Sequence, residues 1–213
     1  MDHSGPIAAA GEAAHDVLEC KHQAREITLP ASRKVIRSCS TAIRAVHRRE
    51  FHEARELIAV AAAYLAEADA ALEEHPDVRY AGFIHDAKKE FAEANLTLAF
   101  VADNPIPNAA ELGVEVQAYL NGMSEAASEL RRQVLDCLRR EEVAEAERLL
   151  AVMDAVYGLL ITIDYPDALT GGLRRSTDAL RGVLERTRGD VTTALVVARL
   201  QQAVEARTRS DIR

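Results

Sequence analysis

The sequence predicts an all-α fold, a single-domain antiparallel bundle of about seven helices. Three observations predict it. Ala, Leu, Glu and Arg are abundant, and all are strong helix formers, while aromatic residues make up 4% and Trp is absent. Ten Gly and six Pro in 213 residues are too few for the turns of a β-sandwich. Apolar residues recur at helical spacing along most of the chain, and no segment alternates as a half-buried strand does. The helices read this way run roughly 16 to 30 residues against a globular mean of ~12, with short connections between them, which describes a bundle. No repeat at a fixed period points to a solenoid.

Residues 1–29 form a weakly periodic N-terminal segment, helical or mobile. Ile7, Ala10, Ala14, Val17 and Leu18 could make one stripe, and Pro30 interrupts it. The helical domain then spans 30–213. Its first firm helix covers 31–47, with Val35, Ile36, Cys39, Ala42, Ile43 and Val46 inward. A second covers 50–74 and ends at His75-Pro76-Asp77, where Asp77 can cap the next. The third, 78–102, is patterned by Tyr80, Phe83, Ile84, Ala87, Phe91, Ala94, Leu98 and Val101. Asp103 to Asn108 is a loop, because Pro105 and Pro107 remove donors and fix φ. A fourth helix covers 110–139 and a fifth 143–163. A sixth covers 166–186, and Asp190 can cap a seventh over 191–206.

Apolar residues at 48% and charged residues at 28% exclude a disordered chain. The 26 basic and 34 acidic residues leave a net charge of −8, so any polyanion site must be a local basic patch. Cys20, Cys39 and Cys137 are too scattered for a disulfide framework or a zinc site. No apolar run reaches the ~18 residues of a membrane span, and no signal peptide is evident. A soluble, cytoplasmic protein with no membrane partner is expected.

A metal site in such a bundle has to be built from side chains on facing helices. Asp86, Glu90 and Glu93 lie at i, i+4 and i+7, on one side of the third helix. Like charges there repel unless a divalent cation reverses the sign; the alternative is a solvated acidic face relieved by Lys88 and Lys89. Asp154 lies in an otherwise apolar run, Leu149 to Ile161, with no other acid between Glu147 and Asp164. It is either buried with a hydrogen-bond partner or placed in a cleft. Glu129 reads first as a structural ion pair, and Asp136 and Glu125 have weaker claims. His85, Lys88 and Lys89 form one basic cluster, and Arg131, Arg132, Arg139 and Arg140 another; phosphate binding requires either to converge in space. His47 and His52 lie at i+5, poor spacing for one metal.

Several stretches resemble one family in series. Arg33-Lys34-Val35-Ile36-Arg37 is similar to the start of translin, as is Arg79-Tyr80-Ala81-Gly82-Phe83-Ile84-His85. Ala118-Tyr119-Leu120-Asn121-Gly122-Met123, followed by Ser128-Glu129-Leu130-Arg131-Arg132, resembles the family's D-Y-L-x-G and S/G-E-L-x-R segments, with Ala in place of the Asp. Met153-Asp154-Ala155-Val156-Tyr157 resembles a further acidic segment. The order holds from about residue 30 to 205. Lys89-Glu90-Phe91-Ala92-Glu93-Ala94 is similar to the E-Y-V-E-A segment of the translin-associated factor X (TRAX) branch, which carries two catalytic glutamates.

The resemblance implies a translin-like bundle that self-associates into a hollow homo-oligomeric shell, an octamer in the family. It implies single-stranded RNA as partner, with single-stranded DNA as a second ligand. It implies a divalent-metal-dependent endoribonuclease using Mg2+ or Mn2+. Glu90, Glu93 and Asp154 are the expected catalytic and metal-binding residues, with Asp86 and Glu129 as weaker ligands. Lys88, Lys89, Arg131 and Arg132 are the expected nucleic-acid contacts. The alternative is a translin-like oligomer that binds without cutting; a structural oligomer with no nucleic-acid ligand is a third.

Overall fold

The computed structural model describes residues 2–79 and 82–211. Every regular element among them is helical: α1 (Ser4–His47), α2 (Phe51–Ala71), α3 (Pro76–Arg79), α4 (Gly82–Ala102), α5 (Ala109–Leu112), α6 (Val116–Arg139), α7 (Val143–Leu160), α8 (Asp167–Thr170) and α9 (Leu173–Asp211). Three of these, α3, α5 and α8, are single turns of four residues. The bundle is therefore made by six long helices. Tyr80, expected on the third helix, and part of the Arg79–His85 segment lie outside the described residues.

Two predicted breaks are absent. The 44-residue α1 runs straight through Pro30. A proline inside a helix removes one backbone bond and crowds the carbonyl four residues back, at a cost of about 3 kcal/mol. Here Pro30 and Glu26 both face solvent, so water can take the freed carbonyl. Buried Ala24, Thr28, Ala31, Ser32 and Val35 flank the proline and pack the helix down on both sides. Similarly, α9 is continuous for 39 residues, with Gly189 and Asp190 inside it. Thr187 and Val191 are buried on either side of that pair and hold the helix together. Two predicted helices are instead broken, 166–186 at Gly171-Gly172 between α8 and α9, and 110–139 at Gly113. Asn108 and Glu111 form a reciprocal cap on α5, Gly113 turns into the left-handed region at φ 65°, and α6 restarts at Val116.

The inward faces are largely those expected. Val35, Cys39, Ala42 and Val46 of α1 meet Ala54, Ile58, Ala61 and Leu65 of α2, and α1 also packs on α4. The central helix is α6, which touches α4, α7 and α9. Its Met123, Ala126, Ala127, Leu130 and Val134 are buried. Alanines on most inner faces let the helix axes approach closely. Beyond the bundle, residues 4–20 of α1 are exposed, as are Val196, Val197 and Leu200 near the end of α9. No helix among the described residues is long and apolar enough to cross a membrane.

Candidate metal and nucleic-acid site

Gly122 brings the acidic residues together. A Cβ at that position would lie 2.6 Å from the Lys89 carbonyl oxygen, 2.9 Å from Ala92 Cβ and 3.0 Å from the Glu93 backbone nitrogen. Only glycine lets α6 come this close to α4. One turn further along α6 is Glu125. Its carboxylate shares a site with Glu90 and Glu93, one oxygen from each lying within 4.8 Å of the others. Glu129, another turn on, lines the same cleft of about 470 Å³, which α1 closes with Ser40, Arg44 and His47.

The electrostatics follow from this crowding. Glu93 is 7% exposed. Burial, then the negative charges of Glu90, Glu125 and Glu129, push its carboxyl up to about 9. Burial also raises Glu90, and Glu125, Asp86 and Glu129 add to the effect while Lys89 opposes it. Beneath them, Cys39 is raised to about 12, by burial first and then by Glu90 and Glu93, so its thiol is inert. Lys89 Nζ donates to Glu125 at 2.8 Å and lies 3.9 Å from Glu90. Burial works against the Lys89 charge, but the surrounding glutamates hold its pKa above the ordinary value.

Glu129 is different. His47 Nε2 lies 2.7 Å from its carboxylate, and this hydrogen bond keeps Glu129 below the usual carboxylate range. The buried Gln133 amide donates to His47 Nδ1 and to the His47 carbonyl, both at 3.1 Å. With Nδ1 accepting, Nε2 carries the proton and donates to Glu129. The three residues form an ordered chain leading into the cleft.

The structure unites only some of the expected residues. Glu90 and Glu93 are brought together, and Glu129 joins them at the cleft. Asp86 lies on an exposed turn beside it. Asp154, expected as the third ligand, is not brought to this group. It sits on the outer face of α7, half-exposed, and pairs with Arg188 of α9 at 2.8 Å. The apolar run around it wraps more than one face of α7, and Asp154 falls on an exposed one. Glu125 is the acid that lies with Glu90 and Glu93 instead.

The expected cations are redistributed as well. Lys88 is 2% exposed and is held between Asp69 and Glu115 at 3.1 and 3.0 Å. It joins α2, α4 and the start of α6. Arg131 ties α6 to α9 through Asp190 at 2.9 Å and the Thr187 hydroxyl at 3.1 Å. Lys89 belongs to the acidic cluster. Arg132 is the expected cation that is exposed at the cleft, and Arg44 of α1 stands with it. Sequence reasoning missed Arg44, His47 and Gln133. Gly122, Glu125 and Glu129 share one stripe of α6 at i, i+3 and i+7, but that spacing alone does not say that α4 faces it.

No family model matches the chain. An uncharacterized protein of Methanocaldococcus jannaschii, MJ0175, is 31% identical over 187 residues, spanning 85% of this chain and 81% of that one. Among solved structures, AfC3PO in complex with duplex RNA superimposes with a TM-score of 0.80 at 31% identity, covering 87% of this chain and 96% of that one. AfC3PO alone gives a TM-score of 0.79, again at 31% identity, covering 87% of this chain and 97% of that one. Apo-NeC3PO, at 18% identity, shares the fold with a TM-score of 0.74 over 88% of this chain and 96% of that one. The agreement with AfC3PO in fold, length and sequence, added to the serial motifs on α1, α4 and α6, places the chain in the translin/TRAX family.

Proposed function

We propose that this protein is a divalent-metal-dependent endoribonuclease that hydrolyses phosphodiester bonds of single-stranded RNA inside a homo-oligomeric, octamer-like shell in the cytoplasm. The observation that carries the reading is the convergence of Glu90, Glu93 and Glu125, from two facing helices, within 4.8 Å of one another. Burying Glu93 among three like charges costs stability, and a bound cation would reverse that cost. The donor set is all carboxylate oxygen, which suits a hard cation such as Mg2+ or Mn2+. Glu90, Glu93 and Glu125 would hold the ion. When bound, it would supply polarisation of the scissile phosphate and a more acidic water.

The chain's own groups then have distinct tasks. Arg44 and Arg132 face the approaching backbone and neutralise phosphates at the rim. Glu129, kept ionised and oriented by His47 and Gln133, is a fixed acceptor for the proton of a water in the cleft. Lys89, which holds Glu125 at 2.8 Å, would be the cation beside the ion and within the cleft to meet a phosphate oxygen. AfC3PO, a 31% identical relative, is held with duplex RNA, which supports RNA as the partner of this chain. The exposed apolar residues of the α1 and α9 extensions, among them Ile7, Leu18 and Leu200, support self-association.

A second reading, an RNA-binding oligomer without cleavage, is favoured by one observation. The Lys89 ammonium on Glu125 and the proton on Glu93 already offset two of the three carboxylate charges without an ion. Incubation of labelled single-stranded and duplex RNA with and without Mg2+ or Mn2+ separates the two. Metal-dependent cutting that Glu93→Gln and Glu125→Gln abolish supports the nuclease. Binding with no cutting in either metal selects the second reading.

A further inference from the structure

A second cleft opens on the other side of Glu125. It has a volume of about 460 Å³ and shares Glu125 and Ser128 with the acidic cleft, so the two are continuous across α6. Its walls come from α4, α6 and the turn between α8 and α9. That turn is built to be close. Gly171 and Gly172 both have positive φ, at 60° and 83°, and a Cβ on Gly171 would stand 3.3 Å from His85 Nε2. Asn121, 3% exposed, fixes the turn to α6: its amide donates to the Thr170 carbonyl at 2.8 Å and its oxygen accepts from Ser176 at 2.8 Å. The wall is thus rigid and polar.

Several of the bundle's cations are taken up by carboxylates. Arg131, Arg148, Arg174, Arg188 and Lys88 each meet a carboxylate. Arg175 and His85, which line the second cleft, have no ion-pair partner among the described residues. Asp86, Lys89 and Glu125 also line the cleft; Arg175 and His85, beside its serine hydroxyls, are the donors it offers to a phosphate oxygen. The volume falls within the range of about 300–1,000 Å³ of small-molecule pockets and is enough for one nucleotide.

We propose that this second cleft binds the phosphate and ribose of a nucleotide flanking the scissile bond, with Arg175 and His85 gripping the phosphate. The inference rests on the nuclease reading for its position beside the acidic cluster. A strand laid along this line runs from Arg44 and Arg132, over the carboxylates, to Arg175 and His85. Cations at both ends and acids at the centre fix the strand with one linkage over the acids.

The experiment uses the full chain in EDTA, where nothing is cut, and a fluorescent oligouridylate titrated at several salt concentrations. Arg175→Ala should weaken binding about tenfold and lower the log–log salt slope by about 1, Arg175→Lys should keep most of the slope, and His85→Ala should weaken binding less. Helical circular dichroism should be unchanged, since neither side chain has a structural partner among the described residues. Affinity and slope unchanged in Arg175→Ala and His85→Ala would overturn the subsite. The nuclease reading is judged apart, by cleavage in Mg2+ or Mn2+. Wild-type protein that binds but never cuts removes the nuclease and leaves the subsite to the Arg175 slope. Wild-type protein that binds no RNA overturns both.

Discussion

Replacing Glu93 by glutamine should stabilise the metal-free protein while ending cleavage. The folded chain holds Glu93 at 7% exposure, and its carboxyl, ordinarily near 4.5, is pushed up to about 9. Between those two values the folded state binds more proton than the unfolded state, so stability falls as pH rises. The penalty is nil below pH 4.5, grows through neutrality and is complete above pH 9. At 1.36 kcal/mol per pH unit it reaches about 3 kcal/mol at pH 7. Because Glu90 and Glu125 share the repulsion, about 2 kcal/mol is the figure expected for Glu93→Gln, which keeps shape and hydrogen bonding and never charges. The assay is urea unfolding followed by helical circular dichroism, at one protein concentration because assembly also stabilises. The variant and wild type should coincide near pH 4 and diverge steadily to pH 9. Saturating Mg2+ should raise the wild type and close the gap. A variant less stable than wild type at pH 7, or a difference that does not change with pH, would refute the electrostatic argument.

Gly122→Ala should separate α4 from α6, costing about 1–3 kcal/mol and lowering Mn2+ affinity, read by calorimetry. Gln133→Leu should cost about 1–3 kcal/mol by unpairing His47, and cleavage in the variant should fall without a change in RNA affinity. Asp154→Ala should change stability by less than about 1 kcal/mol, since the Arg188 pair is exposed, and should leave cleavage at the wild-type rate. Lys88→Met should destabilise by releasing Asp69 and Glu115, and should leave the salt slope of RNA binding as it was.

The helical faces were legible because burial repeats with the helix period, and Val35, Ile58, Phe91 and Leu130 all sit inside as their spacing requires. The breaks were less legible. Pro30 and the Gly189-Asp190 pair are local signals, and packing on both sides of each outweighs them. At the site, Glu90 and Glu93 were readable because one helix carries both. Glu125 was not, because its height on α6 relative to α4 is set by the Gly122 contact, which a one-dimensional pattern does not contain. Asp154 misled for a related reason. Ala151, Asp154, Ala155, Gly158 and Leu159 share the exposed stripe of α7, so an acid among small apolar residues was not a buried acid. The two lysines of α4 diverged for want of the same knowledge: which neighbour each faces depends on helix register.

All four carboxylates of the cleft stand mid-helix, Glu90 and Glu93 within Gly82–Ala102 and Glu125 and Glu129 within Val116–Arg139. The gap between the two pairs is consequently a backbone dimension, with no loop hinge to widen or narrow it. Closing it further would drive the Gly122 backbone into the Lys89 carbonyl. Opening it would pull apart the Met123, Ala126 and Leu130 packing that holds the whole bundle. The metal site proposed above would therefore be a chelator of fixed bite, whose helices do not shift to suit the ion. Its backbone amides should exchange with solvent only when the protein unfolds globally, so the chelating geometry lasts as long as the fold does.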